Sequence, residues 1–141
     1  MTDPLKDIRH YSPTMTISQV MKFCEKKSLG ITRAMIQNYI RDGLLPPPVK
    51  KRFYTHKHLT VLTLIDRLKM VFDIPTIQKA LAPYMDSEGL SIETYTRLMS
   101  GTEDVTRKWL TTAADALNSE NDGGILLTMI CASELKSIVV Q

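Results

Sequence analysis

Residues 36–54 read Ile-Gln-Asn-Tyr-Ile-Arg-Asp-Gly-Leu-Leu-Pro-Pro-Pro-Val-Lys-Lys-Arg-Phe-Tyr. The stretch opens as an amphipathic helix and stops at Gly43, a residue suited to a left-handed helix end. Leu44 and Leu45 are apolar enough to fold back on a core. Pro46, Pro47 and Pro48 forbid helix and set an extended path. Three cations then arrive together, Lys50, Lys51 and Arg52, followed by two aromatic residues. A helix delivered through a rigid connector to a basic tip is a layout suited to gripping a polyanion.

Upstream, Thr16 with Gln19 three residues later has the form of a capping box. Ile17, Val20, Met21 and Cys24 follow at helical spacing. A charged turn leads to Gly30, and Thr32 is the N-cap expected for a second helix with Met35, Ile36, Tyr39 and Ile40 facing inward. Downstream, Val49–Tyr54 reads as a small hairpin with the two lysines near its tip. Thr55 caps a third helix over about His56–Phe72, and Asp73 caps a fourth that tolerates Pro75 in its first turn. The residues before about Pro13 read as a polar tail.

The remainder reads as helical too. A turn at Asp86–Gly89 precedes a helix capped by Ser91 and broken at Gly101. A further helix starts near Thr102 with Val105, Trp109, Ala113 and Leu117 in one stripe. After a loop tip at Asn118–Gly124 comes a strongly apolar helix, Ile125–Val139. The expected architecture is therefore mainly α, a winged helix-turn-helix with a small β wing followed by a C-terminal helical region. Its segments are a tail (1–15), the winged unit (16–85) and the helical region (86–141).

Charge divides along the same line. The net charge is +3, but residues 1–85 hold 14 Lys/Arg against 6 Asp/Glu, whereas residues 86–141 hold 4 against 9. Only the first part is suited to a polyanion. No apolar leader is present, and the most apolar run is short and interrupted by Ser133, Glu134 and Lys136, so no membrane partner and a cytoplasmic location are expected. Cys24 and Cys131 lie far apart in apolar surroundings, which argues for reduced thiols rather than a disulfide or a zinc ribbon. His56 and His58 lie two apart, point to different helix faces and lack a third ligand, so neither a metal nor another cofactor is expected. No phosphate loop, nucleophile elbow or catalytic carboxylate pair is evident, and an enzyme is not expected.

The order of helix, turn, helix, Gly43-Leu44-Leu45-Pro46, then Lys50-Lys51-Arg52-Phe53-Tyr54 resembles the MerR-type regulators over about residues 16–82. In that family the second helix ends in Thr-Ile-Arg-Tyr-Tyr; here Met35, Ile36, Gln37, Asn38 and Tyr39 stand at those places. The Gly-Phe-Ser-Leu-x-x-Ile opening of its fourth helix is echoed by Val71, Phe72, Asp73, Ile74 and Ile77. Three features depart from the family pattern: a longer turn between the first two helices, Gln37 in place of a backbone-contacting arginine, and no long heptad run after the fourth helix. The triple proline and the longer turn are closer to a bacterial family of short MerR-like proteins known only as a domain of unknown function.

These readings converge on one expected function: a homodimeric, sequence-specific transcription regulator bound to double-stranded DNA. Gln37 and Asn38 can each offer a donor–acceptor pair to adenine, while Arg33 and Arg41 suit guanine or phosphate. Lys50, Lys51 and Arg52 suit the backbone or the minor groove, and Lys57, with His58, could add a phosphate contact at a helix start. Tyr39 resembles the family tyrosine whose hydroxyl reaches phosphate, though an amphipathic ring at the core edge explains it equally well. Tyr54 reads as closing the wing onto the body.

Tyr84, Tyr95 and Trp109 read as core in preference to an effector pocket, and the last helix has apolar surface to spare for self-association. An unknown small-molecule or protein effector stays open. The competing reading is a non-enzymatic protein–protein adaptor, which would show no salt-dependent binding to DNA.

Overall fold

The computed structural model describes residues 4–119 and 124–140, and for some residues of the last two helices it describes the backbone alone. The helices are α1 (Ile17–Lys26), α2 (Arg33–Arg41), α3 (His56–Leu68), α4 (Ile74–Leu81), α5 (Ile92–Ser119) and α6 (Gly124–Val140), with short 3-10 turns at Ile8–His10 and Ala82–Tyr84. The chain divides into two compact units, residues 1–95 and 96–141.

In the first unit, local sequence fixes the helix starts. Thr16 accepts from the Gln19 amide while the Gln19 side chain accepts from the Thr16 amide, a reciprocal box that satisfies two donors. Thr32 accepts from the Met35 amide, and Asp73 accepts from the Thr76 amide with Pro75 in the first turn. At the end of α2, Gly43 takes φ +78°, and the amides of Leu44 and Leu45 return to the Tyr39 carbonyl. That reversal drives both leucines inward, each about 1% exposed. Around them α3 supplies Leu59, Leu62 and Ile65, α1 supplies Val20 and Phe23, and Ile36, Ile77 and Leu90 complete the centre.

The segment read as a tail contributes to this core. Leu5, Ile8 and Met15 are buried, and the Asp7 carboxylate binds the Lys27 ammonium. Isolated apolar residues between Pro4 and Pro13 are too few to show a period, so burial leaves little signal there.

The β wing is not present: among the described residues no strand or sheet forms, and the winged fold expected from sequence is corrected to a mainly helical unit with a tight basic turn. Val49 and Phe53 make one isolated antiparallel bridge around Lys50, Lys51 and Arg52. Two local facts stop the bridge from growing into a ladder. The entering arm is Pro46–Pro48, which has no backbone N–H to donate. The leaving arm is already committed, because Tyr54 exchanges both of its backbone hydrogen bonds with Met15, at 2.8 Å each.

The expected break at Gly101 is also absent. A single helix runs Ile92–Ser119, and the Thr102 hydroxyl donates to the Leu98 carbonyl across that turn. One glycine costs a helix only about 1 kcal/mol, which the surrounding turns absorb. The third helix ends at Leu68, four residues before Phe72, and continues as a turn. In the second unit Val105 is exposed and Trp109 half-buried, while the side chains of Ala113 and Leu117 lie outside the described residues. The expected loop at 118–124 also falls largely outside them. On α6, Leu126, Met129, Ile130 and Leu135 are all more than half exposed.

Candidate nucleic-acid interface

Helix α2 splits cleanly into two faces. Ile36 and Tyr39 are buried, whereas Arg33, Ala34, Gln37, Asn38 and Arg41 are exposed. The face assigned from periodicity is therefore the free one. Tyr39 belongs to the other: it is 6% exposed, and burial, with the nearby Asp66 carboxylate, raises its hydroxyl pKa. The core-edge explanation of Tyr39 fits this position, and the ring is not part of the exposed face.

The basic turn has an unusual backbone. Lys50 and Lys51 take φ +53° and +61°, a region that costs non-glycine residues about 1–2 kcal/mol each. Three amides hold the turn closed: Lys51 donates to Pro48 O, while Arg52 and Phe53 both donate to Val49 O. All three cationic side chains are exposed, and the Arg52 guanidinium lies 5.4 Å from the centre of the Phe53 ring.

Beneath the turn sits His58, which is fully buried. Its Nδ1 accepts from the Thr55 amide at 3.0 Å, which places the proton on Nε2, 3.1 Å from the Pro47 carbonyl. One imidazole thus caps α3 and pins the proline run, and the Tyr54 ring packs edge-on against it at 5.2 Å. Burial lowers the His58 pKa, opposed by its hydrogen bonding to Pro47 and by the Glu88 and Asp86 carboxylates. His58 is a structural staple and not the phosphate contact expected of it. The spacing Thr55-x-x-His58 is that of a capping box, a signal that a search for Glu or Gln at the third position overlooks.

Lys57 is likewise engaged. Its ammonium binds the Asp86 carboxylate at 2.5 Å, and that hydrogen bond raises its pKa. The Asp86–Gly89 turn lies against the same helix start, so closely that a Cβ on Gly89 would fall 2.5 Å from the Lys57 carbonyl. Lys69 is bound to Asp66 and to the Gly30 carbonyl, fastening the turn between α1 and α2 onto α3. Arg41 pairs only with neighbouring Asp42 at 3.3 Å, with both side chains exposed, a contact worth little in water.

Among the described residues, Lys27, Lys57 and Lys69 have acidic partners, and Arg33, Lys50, Lys51 and Arg52 have none. Arg33, the first residue of α2, is also the charge that acts on the Tyr54 hydroxyl at the foot of the turn. Lys6, Lys22, Lys26, Arg67 and Lys79 of the first unit also lack an ion pair, so what distinguishes the turn is that three such cations are consecutive and exposed. No group of His, Cys, Asp or Glu suited to a metal occurs among the described residues. Cys24 is buried with its thiol pKa pushed up to about 11, chiefly by burial.

A compact helical unit that leaves its polar helix face and basic turn free is the class these features define. The chain belongs to the family described as Domain of unknown function (DUF1836), whose model matches residues 8–98. The match includes Ile8 and Met15, whose side chains are in the core, and ends within α5. No curated protein and no solved structure matches the chain. Among the described residues no helix is long and apolar enough to cross a membrane.

Proposed function

We propose that the protein is a DNA-binding regulator in which α2 lies in the major groove and the basic turn holds the backbone. The observation that carries this reading is the run of three consecutive exposed cations, Lys50, Lys51 and Arg52, none with an acidic partner, on a turn that follows the exposed polar face of α2. The left-handed lysines support it, since glycine or asparagine would relieve the backbone there and the chain carries lysine instead. The exposed amides of Gln37 and Asn38 suit adenine, and the exposed Arg41 suits guanine or phosphate. The helix order and the Gly43-Leu44-Leu45-Pro46 stop, which resemble MerR-type regulators, favour the same function. Self-association through α6, with Leu126, Met129, Ile130 and Leu135 exposed, would place two α2 helices on one duplex.

The test is fluorescence anisotropy of the full chain with labelled duplex DNA across a salt series. Affinity falls steeply as salt rises, with a slope of about −0.9 for each phosphate neutralised. The Lys51→Ala/Arg52→Ala variant loses affinity for all sequences and has a shallower slope. Undiminished binding by that variant at low salt refutes the role of the turn. Absence of salt-dependent retention by the parent protein refutes DNA binding and favours a protein–protein adaptor.

A further inference from the structure

The three cations of the basic turn are not held alike. Among the described residues, the Lys50 and Lys51 side chains are exposed and contact no acid and no ring. Arg52 is exposed too, but its guanidinium lies over the ring of Phe53, 5.4 Å from the centre and within the range at which an aromatic face attracts a cation. The Arg52 amide is also fixed, donating to the Val49 carbonyl at 3.1 Å.

Phe53 is a firm support for that contact. Its amide and carbonyl exchange hydrogen bonds with Val49 at 3.0 and 2.7 Å, and the next residue, Tyr54, exchanges both of its own with Met15. Two antiparallel bridges to different segments thus clamp the chain directly behind Arg52. The turn therefore carries one pre-oriented planar cation and two free ones.

These suit different parts of a duplex. An ammonium on a flexible stem is strongly hydrated and finds phosphate anywhere along the backbone. A guanidinium sheds water more readily, and one held in a fixed direction loses less freedom on binding. The minor groove is about 6 Å wide, room for one extended side chain, and it is narrow and strongly negative over A-tracts. A tip closed by the Val49–Phe53 bridge is tight enough to bring a single side chain to such a groove.

We infer that Arg52, propped on Phe53, enters the minor groove next to the site of α2 and selects flanks with A-tracts, while Lys50 and Lys51 hold the phosphates along its edges. This rests on the DNA-binding reading and adds a preference for sequence, read as groove shape, to a turn otherwise assigned to holding the backbone. Arg52 is the specificity-determining residue, and Phe53 is a positioning residue that acts through it.

The experiment measures anisotropy of the full chain on fluorescein-labelled duplexes of equal length across a salt series, with thermal melting in parallel. One duplex carries A-tracts and one is G·C-rich. A third replaces each guanine of the second by inosine, which keeps the major-groove acceptors of guanine and removes its minor-groove amino group. The parent is expected to bind the A-tract duplex roughly five- to ten-fold more tightly than the G·C duplex, and the inosine duplex nearly as well as the A-tract one. Arg52→Lys is expected to bind all of them alike while keeping the parent's salt slope, because it retains the charge and loses the oriented plane. Phe53→Leu is expected to lower the preference by about two-fold or more, and Phe53→Tyr, which restores a ring, to bring it back. Lys50→Ala is expected to weaken binding to every duplex by the same factor.

Equal affinity of the parent for the A-tract and G·C duplexes overturns the minor-groove assignment while leaving DNA binding intact. An inosine duplex bound like the G·C one puts the preference in the major groove and overturns it as well, as does an Arg52→Lys variant with the parent's preference. Full preference in Phe53→Leu, or none in a Phe53→Tyr variant that melts like the parent, overturns the ring as the support of Arg52. A parent protein that binds no duplex at low salt overturns this inference together with the reading on which it rests.

Discussion

Left-handed backbone occurs at Gly43 and Gly89, at Ser28 in the turn after α1, and at Lys50 and Lys51 of the basic turn, and the glycines and the lysines differ in what surrounds them. At Gly43 and Gly89 the position belongs to glycine, and the surroundings explain why: one ends α2, and the other passes against the Lys57 carbonyl. At the basic turn it belongs to Lys50 and Lys51, whose side chains touch no acid and face solvent. At Gly43 and Gly89 the residue that costs least is used, while Ser28 shows that a small polar side chain is also accepted in a connecting turn. Where the strained conformation carries a charge outward, the cost is tolerated, which is the pattern expected of a contact surface.

The most severe way to break this comparison is to disturb the framework that both kinds of turn rest on. His58→Leu removes the partner of the Thr55 amide and the Pro47 carbonyl, both hydrogen bonds being part-buried, and it should cost roughly 2–3 kcal/mol of unfolding free energy by urea titration. A loss under 1 kcal/mol would mean that the proline run is held by something else. Gly89→Ala should cost roughly 2–3 kcal/mol, since the new methyl meets backbone and the φ of +132° disfavours any side chain.

The turn should behave in the opposite sense. Replacing Lys50 and Lys51 together by glycine should raise stability by about 1 kcal/mol while weakening binding to DNA. A variant that loses stability, or that gains it and binds as before, removes the contrast between the two kinds of position.

The gentlest effect comes from protons. Burial holds the His58 pKa below its ordinary 6.5, so the folded state binds fewer protons than the unfolded chain. Stability from this residue is complete above pH 6.5 and declines as the pH falls from there through the folded value. Melting temperatures measured across this range should show the decline, and His58→Gln should flatten it. Lys57 and local amides hold the Asp86 carboxyl below its ordinary 3.8. Its contribution is present above that value and is lost as the pH falls below it.

How far these features could be read in advance depended on whether the information was local. The N-caps Thr16, Thr32, Thr55 and Asp73 and the stop at Gly43 were legible because each involves residues within one turn. The exposed set on α2 followed from its period, and so did the burial of Ile36. Residues whose state depends on distant partners were misjudged. The hairpin failed because Met15 takes the backbone of Tyr54, and Lys57 was engaged by Asp86 from beyond α4. Tyr39 had two acceptable roles, and only packing distinguished them. At Gly101 the weak propensity of one residue was overridden by its neighbours.

The bridge between Met15 and Tyr54 has a kinetic consequence. It closes a long loop enclosing α1, α2 and the basic turn, and such a closure is slow relative to forming any helix inside it. Until it closes, the leaving arm of the turn has no fixed partner and Tyr54 no fixed place. The basic tip should therefore be among the last parts of the first unit to become ordered during folding. In hydrogen exchange its base should gain protection together with the Met15 amide, later than the interior of α3.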